Sequence, residues 1–244
     1  MNRFKETIYN TFIALLIFIP IVAVAHYYLF PQETKCILID YSSFKKDGRL
    51  YYDTATSPKT IDSLKSVISE ASLRIADFWG EKKADPKFIY CATDSIFKKY
   101  GDNNLDPATT HYKLGSYIVI NKNGIDLDII AHEMSHAELE KRIGFYNETF
   151  KIPTWFDEGL AMQNDYRNYY SEDRLKAISD NFENLPELDS LKTARQFWSA
   201  SPQKVMLNYM TAKYQVKNWY SKLKLDNLIN DLNSGESFEK AYDQ

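Results

Sequence analysis

Two histidines and a glutamate have the types and spacing of a metal-dependent hydrolytic site. Residues 132–136 read His-Glu-Met-Ser-His. Four residues on an α-helix turn through about 400° and rise about 6 Å, so His132 and His136 project from one face. Two imidazoles placed one turn apart can both reach a zinc ion at about 2.0–2.1 Å. Glu133 then lies beside the ion, where a carboxylate can take a proton from activated water.

The pattern requires a third ligand, because a catalytic zinc usually has three protein ligands and one open position. The metzincin pattern is excluded, since it needs a glycine and a histidine where this chain has Leu139 and Arg142. The best candidate is Glu158, which follows His136 by 22 residues. Thr154 and Asp157 predict an N-capping box, which would start a helix just before Glu158 and hold it on a rigid element.

These two segments resemble a known family. The HExxH motif followed by Trp-x-x-Glu-Gly-x-Ala at Trp155–Ala161 is similar to the gluzincin zinc metallopeptidases, the peptidase MA-like group of thermolysin and aminopeptidase N. The resemblance implies one zinc ion per chain, bound by His132, His136 and Glu158. It also implies that Glu133 is the general base and proton shuttle in peptide-bond hydrolysis.

Two further roles follow from the resemblance. A tyrosine should stabilise the oxyanion, and Tyr209 fits better than Tyr214, because it begins a long predicted helix about fifty residues past Glu158. An edge strand ahead of the HExxH helix should align the substrate, and Leu114–Asn121 has the β-rich sequence for it.

The chain departs from the family in two places. Asp157 stands where the aminopeptidases have asparagine, and it either supports a metal ligand or caps the helix. No Gly-x-Met-x-Asn motif is present, and Lys113–Lys122 contains no acidic residue to hold a substrate amine. We therefore expect an endopeptidase acting on a peptide or protein. The alternatives are a zinc-binding but non-catalytic envelope interaction module and a structural protein without metal.

The composition indicates a folded domain and argues against a nucleic-acid partner. Of 244 residues, 44% are hydrophobic and 26% are charged, as in globular proteins. Lys and Arg total 30 and Asp and Glu total 33, so the formal net charge is −3. Nucleic-acid-binding proteins usually carry a basic excess instead. The sequence does not indicate an oligomeric state.

An apolar run near the N-terminus predicts a membrane anchor. Residues 7–32 contain no charged side chain, and about 20 helical residues cross a bilayer core. Arg3 and Lys5 precede the run, which favours a cytoplasmic N-terminus and a domain outside the cell or in the periplasm. The alternative is a signal peptide cleaved after Ala25, with secretion of the remainder. Cys36 and Cys91 would then be either a disulfide or two buried thiols.

Periodicity and turn signals predict the remaining elements. Strands are expected at 35–40, 50–52, 87–91 and 114–121, with a loop at 102–110. Helices are expected at 60–79, 95–100, 126–143, 155–164, 172–182, 203–222 and 225–233.

This order predicts an α+β fold: a small α/β lobe with a mixed sheet, then a helical lobe, preceded by one transmembrane helix. The resemblance makes that fold zincin-like. The predicted boundaries are a cytoplasmic tail at 1–6, an anchor at 7–30 and a peptidase domain at 31–244. Within the domain, 31–145 is the α/β lobe and 146–244 is the helical lobe.

Overall fold

The computed structural model of the chain describes residues 2–102, 106–111 and 115–243. Its strands and helices are mixed along the first half of the chain, and the second half is helical. The strands are β1 (Lys45–Asp47), β2 (Leu50–Tyr52), β3 (Lys87–Cys91), β4 (Ala108–His111) and β5 (Tyr117–Asn121). The helices are α1 (Asn2–Leu29), α2 (Pro31–Ile37), α3 (Pro58–Trp79), α4 (Asp94–Tyr100), α5 (Leu127–Phe150), α6 (Thr154–Ala161), α7 (Glu172–Ile178), α8 (Ala194–Trp198), α9 (Pro202–Trp219), α10 (Lys222–Asn233) and α11 (Phe238–Tyr242).

The five strands form one mixed sheet in the order β1-β2-β3-β5-β4. β2, β3 and β5 run parallel, while β1 and β4 pair antiparallel with their neighbours. This outcome confirms the predicted α+β class with a mixed sheet. β4 is an edge strand, so one side of its backbone carries no sheet partner among the described residues.

The sheet separates two apolar layers, because successive strand residues face opposite sides. On one face, Ile118 and Ile120 pack with α3, α5 and the C-terminal helices in the larger core. On the other face, Ile89 and Val119 pack with residues of α2 and α4 in a smaller core. The larger core continues without a break from the α/β part into the helical part, and α5 is common to both.

Two predicted segments differ from the structure. Residues 35–40 are not a strand: α2 continues to Ile37, and Ile39–Tyr41 forms a 3₁₀ turn. Pro31 starts α2, and Cys36 and Ile39 are buried on the same side of the chain. A short apolar run such as this one is compatible with either a helix or a strand, so its sequence does not distinguish them. The antiparallel partner of β2 is therefore β1.

The predicted loop at 102–110 is wrong at its end, because β4 begins at Ala108 and pairs with β5. The sequence predicts β5 as the edge strand that aligns a substrate, but β5 lies between β3 and β4. Residue 114, at the start of that prediction, lies outside the described residues. Long-range pairing decides such short strands, since local propensity is weak over four residues.

α1 is long and apolar enough to cross a membrane. Its apolar part is Thr7–Leu29, 23 residues with none of the most apolar window buried inside the protein. At about 1.5 Å per residue it spans the roughly 30 Å of a bilayer core. Cys36 and Cys91, on the domain side, are both buried free thiols, so the second of the two predicted alternatives holds.

Candidate metal centre and its cleft

α5 carries the first two candidate ligands and is fixed at its start by a side chain. The Asp126 Oδ1 atom accepts hydrogen bonds from the backbone N–H groups of Asp128 (2.9 Å) and Ile129 (3.2 Å). This is an N-cap, as the prediction of a helix from 126 requires. The regular part ends at Gly144, whose φ of +79° breaks the helical geometry before the chain resumes it.

Three ligand atoms converge at the junction of α5 and α6. His132 Nε2 lies 3.1 Å from His136 Nε2, and Glu158 Oε2 lies 3.3 Å and 3.8 Å from these two atoms. Ligands at about 2.0–2.1 Å from a tetrahedral zinc are separated by about 3.3–3.4 Å, so these distances bracket the required value. The predicted set His132, His136 and Glu158 is thus brought together in a geometry that could hold a metal ion.

Asp157 orients one of these ligands. Its Oδ1 atom lies 2.8 Å from His136 Nδ1, and a carboxylate only accepts, so Nδ1 donates. His136 Nε2 then faces the cluster, and it can bind a metal ion once its own proton is displaced. The predicted capping role of Asp157 is wrong: α6 follows Pro153 without a side-chain cap.

The charges around His136 favour a cation. Burial lowers the pKa of His136, but the carboxylates of Asp157 and Glu158 outweigh it and raise that pKa to about 10. The pocket therefore attracts positive charge, and a proton or a metal ion can supply it. Glu158 Oε2 and His132 Nδ1 are buried without a hydrogen-bond partner among the described residues. A metal ion would satisfy the carboxylate oxygen, which is costly to bury alone.

α6 holds Glu158 by a close helix contact. A Cβ atom built on Gly159 would lie 2.6 Å from the Ala212 carbonyl oxygen and 2.5 Å from Val216 Cγ2 on α9. Only glycine lets the two helices approach this closely. The glycine of the Glu-Gly pair therefore sets how deeply Glu158 enters the centre.

Glu133 lies next to the ligand set and is held by the edge strand. Thr110 Oγ1 on β4 donates to Glu133 Oε2 over 2.6 Å and lies 3.2 Å from the Glu133 carbonyl oxygen. Among the residues that the structure describes, the second carboxylate oxygen, Oε1, faces no such donor. The carboxylate is thus oriented by one oxygen, and the other is left to exchange a proton.

Tyr209, on α9, also reaches the centre. Its ring centroid lies 6.4 Å from that of His132, and Trp198 Nε1 donates to its hydroxyl oxygen over 2.9 Å. Burial and the Glu158 carboxylate raise the pKa of Tyr209 well above its usual value, so the O–H remains a donor. Tyr214 stacks instead on Phe182 at 4.6 Å.

All five predicted site residues line one cavity of about 930 Å3, which we call the metal cleft. Sequence reasoning missed several other lining residues. These are Thr110 from β4, Arg167 and Tyr170 from the segment after α6, and Asp102 and Asp106 from the segment before β4. Desolvation and the Asp102 carboxyl raise the pKa of Asp106 to about 6. In the sequence, Asp102 and Asp106 were the residues that could have indicated an acidic cleft. They were missed because they precede Lys113–Lys122, the segment in which the family resemblance places a substrate-binding acid.

Arg167 is a cation fixed in an acidic cleft. Its guanidinium donates from Nε to both carboxylate oxygens of Asp165, at 2.9 Å and 3.0 Å. Asp165 is fully buried, so this pair holds the arginine in place and cancels its charge locally. The remaining carboxylates of the cleft then favour the entry of a cation.

No protein-family model, curated protein or solved structure matches this chain.

Metal binding should release a proton. Because the pKa of His136 is raised to about 10, this ring is protonated at neutral pH, and ligation must displace that proton. Metal affinity should therefore rise with pH and level off above about 10. Calorimetry of zinc binding to the apo chain at about pH 7, in buffers of different ionisation enthalpy, should give about one proton released per metal. Equal heats in all buffers would contradict this.

Replacing Gly159 by alanine should weaken both the fold and the centre. The added methyl group meets the Ala212 carbonyl, and overpacking of this kind costs about 1–3 kcal/mol. We expect a lower Tm and weaker zinc binding. Gly48→Ala is the control, because it strains a turn with φ of +59° but meets no atom within 4 Å. That variant should lose stability without losing zinc affinity.

Proposed function

We propose that the chain is a membrane-anchored, extracytoplasmic zinc metallopeptidase that hydrolyses peptide bonds, as its resemblance to the gluzincins implies. The observation that carries the proposal is the convergence of His132, His136 and Glu158 beside the oriented carboxylate of Glu133. A structural metal site has no need of a neighbouring carboxylate held by a separate strand.

Zinc is the proposed metal because the donor set is two imidazoles and one carboxylate. This set with an open fourth position is typical of catalytic zinc. When bound, the ion would supply Lewis-acid activation of water and of the substrate carbonyl. One ion per chain is expected, since the described residues contain one cluster of this kind.

Different side chains would transfer the proton, stabilise the oxyanion and orient a metal ligand. Glu133, oriented through Oε2 by Thr110, would take a proton from water at Oε1 and pass it to the leaving amine. Tyr209, kept protonated and positioned by Trp198, would donate its O–H to the developing oxyanion. His136 stays in one tautomer because Asp157 accepts its Nδ1–H.

The shape around the centre favours cleavage within a chain. A second cavity of about 570 Å3, which we call the side cavity, adjoins the metal cleft and shares Thr110, Asp157 and Trp198 with it. A polypeptide could then continue from the metal cleft into the side cavity, which supports an endopeptidase. The acidic pair Asp102 and Asp106 would favour substrates with a positive charge near the cut.

The N-terminal helix supports the proposed location. α1 would cross the membrane, with Arg3 and Lys5 holding the N-terminus in the cytoplasm and the domain outside. A cleaved signal sequence would export the same domain without the anchor.

Zinc content tests the centre directly. The purified full chain in detergent should bind about one zinc per molecule, and His136→Ala should abolish it because two ligands hold zinc poorly. His111→Ala is the matched control, since His111 bonds to the Tyr100 carbonyl and is not in the cluster. Absence of zinc after reconstitution of the wild-type chain would overturn the proposal.

Catalysis is tested by Glu133→Gln, with Glu140→Gln on the same helix as its control. The amide that replaces the Glu133 carboxylate cannot accept the proton, so we expect cleavage of labelled casein to fall by about 10²–10⁴-fold with zinc retained. Glu140→Gln should cut like the wild type. A wild-type chain that binds zinc but cuts no polypeptide would favour the non-catalytic interaction module.

A further inference from the structure

The side cavity extends from the metal cleft to α2, the helix that directly follows α1. Beyond the three residues that it shares with the metal cleft, its lining includes Glu33 on α2 and Phe150 at the end of α5. One wall of the substrate path is therefore formed by the segment that directly follows the membrane helix.

The junction between α1 and α2 is a single residue, Phe30. The backbone N–H of Phe30 donates to the His26 carbonyl (2.8 Å), and that of Thr34 donates to the Phe30 carbonyl (2.9 Å). Phe30 has a non-helical φ of −133°, and His26 Nδ1 lies 2.7 Å from Thr34 Oγ1, so the chain bends here. Glu33, four residues after Leu29, therefore stays close to the end of α1. The polar layer on each side of a bilayer core is about 5–8 Å thick, which places Glu33 at headgroup level when α1 spans.

An aromatic patch lies beside the same cavity. We define it as Phe145, Tyr146 and Phe150, which follow the break of α5 at Gly144. Tyr146 is 66% exposed and Phe150 is 68% exposed, and their rings lie 5.3 Å apart. The part of α5 before Gly144 is mostly buried, so the break turns these side chains out of the core.

Exposed aromatic rings suit the membrane interface, where their apolar faces leave water. Phe150 contributes to the patch and to the side cavity, whose lining also includes Glu33. The patch therefore lies on the side of the domain that carries α2, the helix that directly follows α1. Where α1 spans a membrane, it tethers this side of the domain to the bilayer. The bilayer is then the surface most readily available to the patch.

We propose that the aromatic patch rests in the interfacial layer of the membrane that α1 spans, and that the side cavity takes in polypeptide segments lying at that membrane surface. This inference rests on the proposed function, and it names the substrate class as the membrane-proximal parts of membrane-inserted polypeptides. Segments far from the surface would have to bend back to enter the metal cleft from this side.

The depth of the patch can be measured without any catalysis. A single cysteine is introduced as Tyr146→Cys in the full chain and labelled with a fluorophore; Cys36 and Cys91 are fully buried and do not compete. Leu73→Cys is the matched control: Leu73 is 67% exposed on α3 and precedes Arg74, which bonds to Asp128 at the opposite end of α5.

Both labelled chains are placed in phosphatidylcholine nanodiscs with nitroxide-headgroup lipids. We expect the Tyr146→Cys label to be quenched severalfold more than the Leu73→Cys label. Equal quenching would overturn the membrane contact. Protection of the Tyr146→Cys label from a water-soluble quencher without quenching by lipid would indicate a second copy of the chain on the patch, and would overturn the proposal too.

The substrate class is tested with two membrane-inserted probes in vesicles that carry the wild-type chain. Both have one apolar helix and the same unfolded casein segment, which either follows the helix directly or follows a long rigid spacer. We expect the direct probe to be cut on the order of tenfold faster, because the segment is concentrated at the cavity. Equal or reversed rates would overturn the substrate class. Failure to cut both probes and free casein, with zinc bound, would overturn the proposed function, while the quenching result still decides the membrane contact.

Discussion

The structure depends on a small buried volume in which negative charge exceeds positive charge. Glu158 and Asp157 enter it from α6, and the two histidines of α5 face them. Burying carboxylates away from water costs several kcal/mol unless a cation compensates them. Without a metal ion, the carboxylates stabilise the protonated form of His136, and the pKa of His136 is raised for this reason. A divalent ion would compensate the same charge and would displace the proton from His136.

The rest of the fold keeps this volume small. The buried Glu138 carboxylate accepts the backbone N–H groups of Lys83 and Ala84, which ties α5 to the segment leading into β3. Asn164 donates to Ser135 Oγ and so ties α5 to the turn after α6. α5 is at once the central packing element and the carrier of two ligands. Substitutions in the core should therefore shift the positions of the candidate ligands, since packed interiors transmit strain.

The cleft and the membrane helix are parts of one arrangement. The edge strand β4 orients Glu133 and lines the path on which a substrate would lie. α2 fills the opposite face of the sheet and forms a wall of the side cavity within a few residues of α1. In the proposed arrangement, a membrane anchor would do more than localise the domain, because it would also limit which polypeptide segments reach the centre.

The sequence alone determined the candidate ligands and the helix that carries two of them. The His-Glu-x-x-His spacing and the long apolar periodicities act within a few residues, so they can be recognised without knowledge of the fold. Boundaries of α3, β3 and α5 followed from the same local signals. The identity of the third ligand was also accessible, because Glu158 lies in a segment with its own helix pattern.

Only the tertiary structure decided what depends on distant partners. Whether 35–40 formed a strand or a helix depended on its continuity with α1 and its packing on α4, and short apolar runs are compatible with both. Asp157 was free to cap its helix, but the fold places His136 within hydrogen-bond distance of it instead. The edge position of β4 and the approach of the cleft acids to the centre likewise depend on contacts between segments that are distant in the sequence. Local residue preferences do not specify such contacts.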